Sequence, residues 1–233
     1  MAPDIFRTAV GRRLRLVARS SDMPCIFCGE SLDTHNDHAV VCRCGGDTIH
    51  RHHAIRDSLT SFMRQAGLSP EKEKRGLLPE NTEEDRGIEE PTRSARRPAD
   101  IFLHKWKASG SNGVAFDVAA TSFLRGPPGL VDPGADAVRT HLGQYADMKR
   151  QHLDTAAMCA AQGLSFTPLV FDAYGGGWDD TVAELLSELT ARSRARGGPE
   201  FGSSIQQRLS VTLQTCAAKA VLRRQVPGTD RFQ

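Results

Sequence analysis

The chain has 233 residues and a mass of 25.4 kDa, which suits one domain with a hydrophobic core and a small appendage, and its 39% hydrophobic content excludes wholesale disorder. It has no apolar run near the roughly 20 residues of a membrane span and no apolar secretory segment at its start, so we expect a soluble intracellular protein without a membrane partner. Its formal net charge of +2 does not demand a nucleic-acid partner, although five arginines in the first 20 residues and an acidic stretch at 80–90 distribute the charge unevenly.

Four cysteines cluster between residues 25 and 44, which in an intracellular chain favours metal binding over disulfides. The spacing C-x2-C-x9-H-x3-C predicts a tetrahedral, structural zinc site. The predicted ligands are Cys25, Cys28, His38 and Cys42. His35 and Cys44 are competing ligands, so the third and fourth positions stay open.

A helix over about 50–66 follows, because apolar residues recur at helical spacing and Gly67 is a typical helix stop. Its first turns contain Arg51, His52 and Arg56. Positive side chains near free helix N–H groups attract phosphate, so these three residues are candidates for nucleic-acid binding. The alternative is a polar helix start packed against the cysteine-rich segment.

Residues 79–98 are polar and acidic and predict a loop. Two β-like runs follow at 99–103 and 113–121, separated by a polar turn, and they predict a hairpin. Each run contains one aspartate, Asp100 in the first and Asp117 in the second.

Asp117 shares a strand face with Ala115 and Ala119, where an ionised carboxylate is costly unless something compensates it. A divalent cation shared with Asp100 would do so and could support phosphodiester hydrolysis. The alternative is that both aspartates lie near strand ends and face solvent.

Helical periodicity returns from 135 to about 163, and Lys149 interrupts its apolar stripe. The apolar members of this stripe are Leu142, Tyr145, Leu153 and Ala156. A lysine at such a position must extend to solvent or find an anion. In a nuclease it would stabilise the attacking hydroxide or the scissile phosphate.

Residues 125–134 are too rich in Pro and Gly for regular structure, whereas the apolar run at 166–174 predicts a strand covered on both faces. Two more helices are predicted at 178–194 and 203–224. This order of strands and helices indicates an α/β domain. The glycines at 175–177 lack the lysine of a P-loop and do not indicate nucleotide binding.

Taken in order, these motifs resemble the C-terminal part of site-specific non-long-terminal-repeat retrotransposon proteins, which combines a CCHC zinc knuckle with a PD-(D/E)xK endonuclease. The segments that carry the resemblance are CIFCG, NDHAVVC, RHHAIRD, RPADIFL, VAFDVAAT, YADMKRQH and FTPLVFDAYGG. The resemblance implies a restriction-endonuclease-like central mixed sheet flanked by helices. It divides the chain into a basic segment (1–24), the zinc knuckle (25–49), the nuclease domain (50–177) and C-terminal helices (178–233).

The resemblance also implies roles for individual residues. Asp100 and Asp117 would be the acids that bind Mg²⁺ or Mn²⁺, with Glu71 or Glu73 as a further candidate carboxylate. The usual pattern has a lysine two residues after the second acid, where this chain has Ala119. Relatives move that lysine to the following helix, which makes Lys149 the candidate.

The implied function is a retroelement-derived endonuclease that nicks double-stranded DNA in the nucleus, with retroelement RNA or a polymerase domain as further partners. A catalytically inactive zinc-containing DNA-binding module from a degenerate copy is the main alternative, and Ala119 favours it. A zinc-stabilised protein-interaction domain is the third hypothesis.

Overall fold

The structure is a computed structural model that describes residues 1–78, 98–106, 111–122, 134–175, 177–196 and 201–224. The helices are α1 Pro3–Arg13, α2 Asp37–Val41, α3 Asp47–Gln65, α4 Gly134–Gln151, α5 Thr155–Ala161, α6 Asp180–Ala195 and α7 Phe201–Leu222. The strands are β1 Met23–Pro24, β2 Ser31–Leu32, β3 Glu71–Lys72, β4 Ile101–Leu103, β5 Gly113–Thr121 and β6 Leu164–Asp172. The predicted loop at 79–98 and the predicted irregular segment at 125–134 lie almost entirely outside the described residues.

The central sheet has the strand order β3-β4-β5-β6. β4 and β5 are antiparallel, as the predicted hairpin requires. β3 is also antiparallel to β4, whereas β5 and β6 are parallel. A parallel pair needs a crossover connection, and α4 and α5 lie within it. The protein is therefore a mixed α/β structure, with a mixed sheet between helices. None of its described helices combines the length and apolar character that crossing a membrane requires.

Alternation along β5 divides its side chains between the two faces of the sheet. Val114, Phe116 and Val118 join the main hydrophobic core, which α3, α6 and α7 complete. Ala119 belongs to a smaller cluster on α4. The small residues on this second face let α4 approach the sheet closely, next to the position of Asp117.

The prediction of one continuous helix over 135–163 is wrong, because the helix is interrupted. α4 ends at Gln151, and a 3₁₀ turn at His152–Asp154 separates it from α5. Leu153 and Asp154 have positive φ angles of 51° and 50°, which end the α-helical path. Leu153 consequently leaves the apolar stripe and is 46% exposed.

The basic N-terminal segment contains α1, which the sequence analysis did not predict. Pro3 lies at its start, where the missing N–H costs nothing. The helix packs against α7 through a face of small and polar residues that includes Thr8, Ala9 and Gly11. The large apolar side chain of Phe6 is 58% exposed, so it does not lie on the buried face of α1.

A buried ion-pair network attaches the end of α7 to the start of α3. Arg224 is fully buried, and its Nη1 donates to Asp47 Oδ2 at 2.6 Å. Arg223 Nη1 donates to the other oxygen of Asp47, also at 2.6 Å. Arg224 Nη2 donates to the carbonyl of Cys44 at 2.9 Å, so the network also holds the cysteine-rich segment.

We expect Asp47→Asn to lower the free energy of unfolding by about 3 kcal/mol, because it leaves the buried charge of Arg224 without its counter-ion. Urea denaturation followed by circular dichroism in zinc-containing buffer measures the change. Asp147→Asn is the control, since Asp147 forms an exposed pair with Arg150 and should change stability by less than about 0.5 kcal/mol. Equal effects of the two substitutions would show that the network does not anchor α7.

Candidate functional site

The four predicted zinc ligands form a compact cluster. Cys25 and Cys28 lie in the turn between β1 and β2, where Gly29 adopts a φ of 77°. His38 is in α2 and Cys42 directly follows it. The ligand atoms of all four side chains lie within 4.8 Å of one another.

The surroundings of the cluster favour a thiolate at Cys25, whereas burial and the neighbouring thiols raise the pKa of Cys28. Burial opposes a thiolate at Cys25, but the N–H groups of Phe27 and Cys28 and the His38 side chain favour it and lower the pKa of Cys25. His38 Nε2 lies 3.2 Å from Cys28 Sγ, while His38 Nδ1 lies 3.3 Å from Glu30 Oε2. A carboxylate on the second ring nitrogen typically orients a histidine ligand.

The structure distinguishes these four residues from their competitors. Cys44 is exposed, and its carbonyl accepts the hydrogen bond from Arg224. His35 is also outside the group whose ligand atoms converge. The cluster of Cys25, Cys28, His38 and Cys42 could therefore bind a metal such as zinc.

A second centre lies where β4 begins beside β5. Asp100 immediately precedes the pair Ile101–Phe116, so it lies opposite Asp117 on the same face of the sheet. The N–H of Val118 donates to Asp100 Oδ2 at 2.6 Å, which fixes this carboxylate against β5. We call Asp100, Asp117, Lys149 and His52 the acidic centre.

Lys149 reaches the acidic centre from α4. Its Nζ lies 3.0 Å from Asp117 Oδ2, and the two side chains are 28% and 20% exposed. Burial raises the pKa of Asp117 despite this lysine, and the negative charge of Asp100 adds to the increase. Burial alone would lower the pKa of Lys149, but attraction to Asp117 outweighs it and raises that pKa.

His52 approaches the same centre from α3. Its Nε2 lies 3.0 Å from Asp100 Oδ2, and this hydrogen bond raises the pKa of His52. The sequence analysis assigned His52 to phosphate binding and missed this contact. The available signal was its helical spacing, since His52 precedes Ile55 and Leu59 on the stripe that α3 turns towards the sheet.

The other predicted nucleic-acid-binding residues, Arg51 and Arg56, bond other parts of the protein. Arg51 is 4% exposed, and its Nη1 donates to the carbonyl of Val40. Arg56 forms ion pairs with Asp57 and Glu73. Both arginines are therefore engaged within the protein instead of projecting into solvent.

The two additional carboxylate candidates are also engaged by other side chains. Glu73 pairs with Arg56 through its side chain and donates its N–H to the carbonyl of Asp100. Glu71 pairs with His104 at 2.6 Å and with Lys74 at 2.8 Å. Both carboxylates are therefore paired with basic side chains.

The contacts within the acidic centre leave one oxygen of each aspartate unused. The contacts of Asp100 and Asp117 with His52, Val118 and Lys149 all use Oδ2. No donor from the described residues bonds Oδ1 of either aspartate.

No family model matches this sequence, and no curated protein is similar to it.

We expect the purified protein to contain about one zinc ion per chain, because two thiolates in one turn and a His/Cys pair complete a tetrahedral set. Mass spectrometry of the metal content measures it. Cys28→Ser should lose the ion and, since metal binding contributes to folding, unfold at a lower temperature. Cys44→Ser is the matched control and should retain the ion; a loss of zinc in this variant and not in Cys42→Ser would reassign the fourth ligand.

Proposed function

We propose that this protein is a metal-dependent DNA endonuclease that nicks DNA by phosphodiester hydrolysis. The observation that carries the proposal is the convergence of Asp100, Asp117 and Lys149 on one side of the sheet. Lys149 reaches Asp117 from α4, although 32 positions separate them in the chain. The resemblance to retrotransposon endonucleases supports the same activity and suggests a restriction-endonuclease-like classification of the fold.

Asp100 and Asp117 would hold Mg²⁺ or Mn²⁺ through their available oxygens. The hard carboxylate ligands fit these ions, and a cation would also relieve the repulsion between the two negative charges. When bound, such an ion polarises a phosphate and lowers the pKa of a coordinated water. The protein contributes the fixed positions of both carboxylates through the pairing of β4 with β5.

Lys149 supplies the positive charge that the usual motif places on the strand. Ala119 takes that strand position, is only 7% exposed and belongs to the cluster beneath α4. The ammonium of Lys149 instead extends from the helix above it. At this position it stabilises negative charge on the attacking oxygen or the phosphate. His52 positions Asp100 by its hydrogen bond and is a positioning residue.

DNA binding in this proposal depends on basic groups next to the acidic centre. Arg43 is exposed and has no carboxylate partner among the described residues, so it is available for a backbone phosphate. The metal-binding cysteine cluster would fix the segment that carries Arg43. A nuclear location and partners such as retroelement RNA or a polymerase domain rest on the resemblance alone.

We expect the protein to nick supercoiled plasmid in Mg²⁺ or Mn²⁺, with products separated on an agarose gel. Asp117→Asn should abolish nicking because it removes a metal-binding charge. Lys149→Met should slow nicking by about 100-fold, since it removes one stabilising charge. Asp147→Asn, on the exposed surface of α4, is the control and should nick like the wild type.

Gel-shift binding of the same variants separates the two main functions. If wild type and Asp117→Asn bind DNA equally and neither nicks it with any divalent ion, the endonuclease proposal fails and the inactive DNA-binding module is the correct function. Ala119 is the observation that favours this second function, because the strand itself provides no lysine.

A further inference from the structure

A cleft of about 510 Å³ lies next to the acidic centre. Its walls come from the α2–α3 junction on one side and from α4 on the other, and the end of β5 forms its floor. His52 and Lys149 line the cleft as well as belonging to the acidic centre. Whatever occupies the cleft is therefore adjacent to the carboxylates. Its volume falls within the range typical of small-ligand sites.

The charge of the cleft favours an anionic ligand. Arg43, Arg51, His52 and Lys149 line it, and no carboxylate from the described residues does. Lys149 shares its charge with Asp117, but Arg43 has no such partner in the described ranges. Arg43 can therefore attract a phosphate at the part of the cleft that its side chain lines, whereas the carboxylates of Asp100 and Asp117 lie behind His52 and Lys149.

Two deeply buried polar atoms in the lining lack a hydrogen-bond partner among the described residues. One is Oγ of Ser122, a residue only 2% exposed, and the other is Nε of Arg51, which is 4% exposed. Leaving such a group unpaired costs about 1–3 kcal/mol, so proteins normally satisfy it. Both residues line the cleft, where a polar ligand could provide the missing bonds.

The remaining lining is apolar and contains an aromatic ring. Tyr145 lies one helical turn before Lys149 on α4, and Ile49 and Val41 contribute from the opposite wall. Ile49 is 60% exposed, so it is available for contact. A site for phosphate alone would need no apolar surface, whereas a nucleotide combines a phosphate, polar base edges and an apolar base face.

We propose that this cleft binds one unpaired nucleotide of a DNA strand beside the position of cleavage. Tyr145 stacks on the base, the buried polar groups of Ser122 and Arg51 bond its edge, and Arg43 binds the adjoining phosphate. The preferred substrate is consequently DNA with an unpaired nucleotide, such as a bulge or a single-stranded junction. The location beside a cleaved bond rests on the proposed nuclease function, whereas the binding itself does not.

Fluorescence anisotropy with the full chain in magnesium-free buffer tests the proposal without cleavage. The probes are a fully paired duplex and the same duplex with one bulged 2-aminopurine nucleotide. We expect the wild type to bind the bulged duplex about tenfold more tightly, which is within the range for stacking one base on an aromatic ring. The fluorescence of 2-aminopurine should fall as the base stacks on Tyr145.

Tyr145→Leu keeps an apolar side chain but removes the ring, and it should abolish both the preference and the fluorescence change. Arg43→Ala alters an exposed residue, so it should fold normally and weaken binding of the bulged duplex by about tenfold. Arg139→Ala is the matched control, because Arg139 is 69% exposed on α4 and does not line the cleft.

Equal wild-type affinity for the two duplexes, or a preference that survives in Tyr145→Leu, would overturn the nucleotide site whatever the nicking assay shows. A bulge preference that disappears in Tyr145→Leu, found together with no nicking activity, would retain the nucleotide site and reject only the endonuclease proposal.

Discussion

A carboxylate that is four-fifths buried loses most of its hydration, and the sheet tolerates Asp117 because Lys149 lies 3.0 Å from it. The arrangement depends on two separate parts of the fold. The register of β4 and β5 places Asp100 opposite Asp117, so two negative charges share one face of the sheet. The small residues of β5 let α4 pack closely enough for its lysine to reach them. A cation bound by both aspartates would complete this compensation.

The short segment 42–52 connects all three features of the proposed function. Cys42 belongs to the cysteine cluster that could bind a metal, Arg43 lines the cleft, and His52 bonds Asp100. The two arginines at the end of α7 hold the middle of this segment through Asp47 and the nearby carbonyl groups. The ion pairs at α7 therefore limit how far the wall of the cleft can move relative to the carboxylates, and a metal bound by the cysteines would add to this restraint.

Strands and helices contribute different side chains to the acidic centre. The strands fix the carboxylates, because a paired β ladder allows little variation in the position of opposed residues. Among the described residues, helices supply the basic side chains that contact these carboxylates, His52 from α3 and Lys149 from α4. The basic groups thus approach a fixed acidic pair from two different helices.

The sequence by itself determined the features that depend on neighbouring residues. Periodicity located α3, the β4–β5 hairpin and β6, and cysteine spacing selected a ligand set whose members are close in the chain. The interrupted stripe of α4 indicated that Lys149 extends to solvent or finds an anion, and only the tertiary structure decided for an anion, which is Asp117. The same holds for the partner of His52, the burial of Arg51 and the cleft beside Tyr145. Local patterns indicate the apolar face of an element, whereas the burial and the partner of a polar side chain depend on contacts between segments that are distant in the chain.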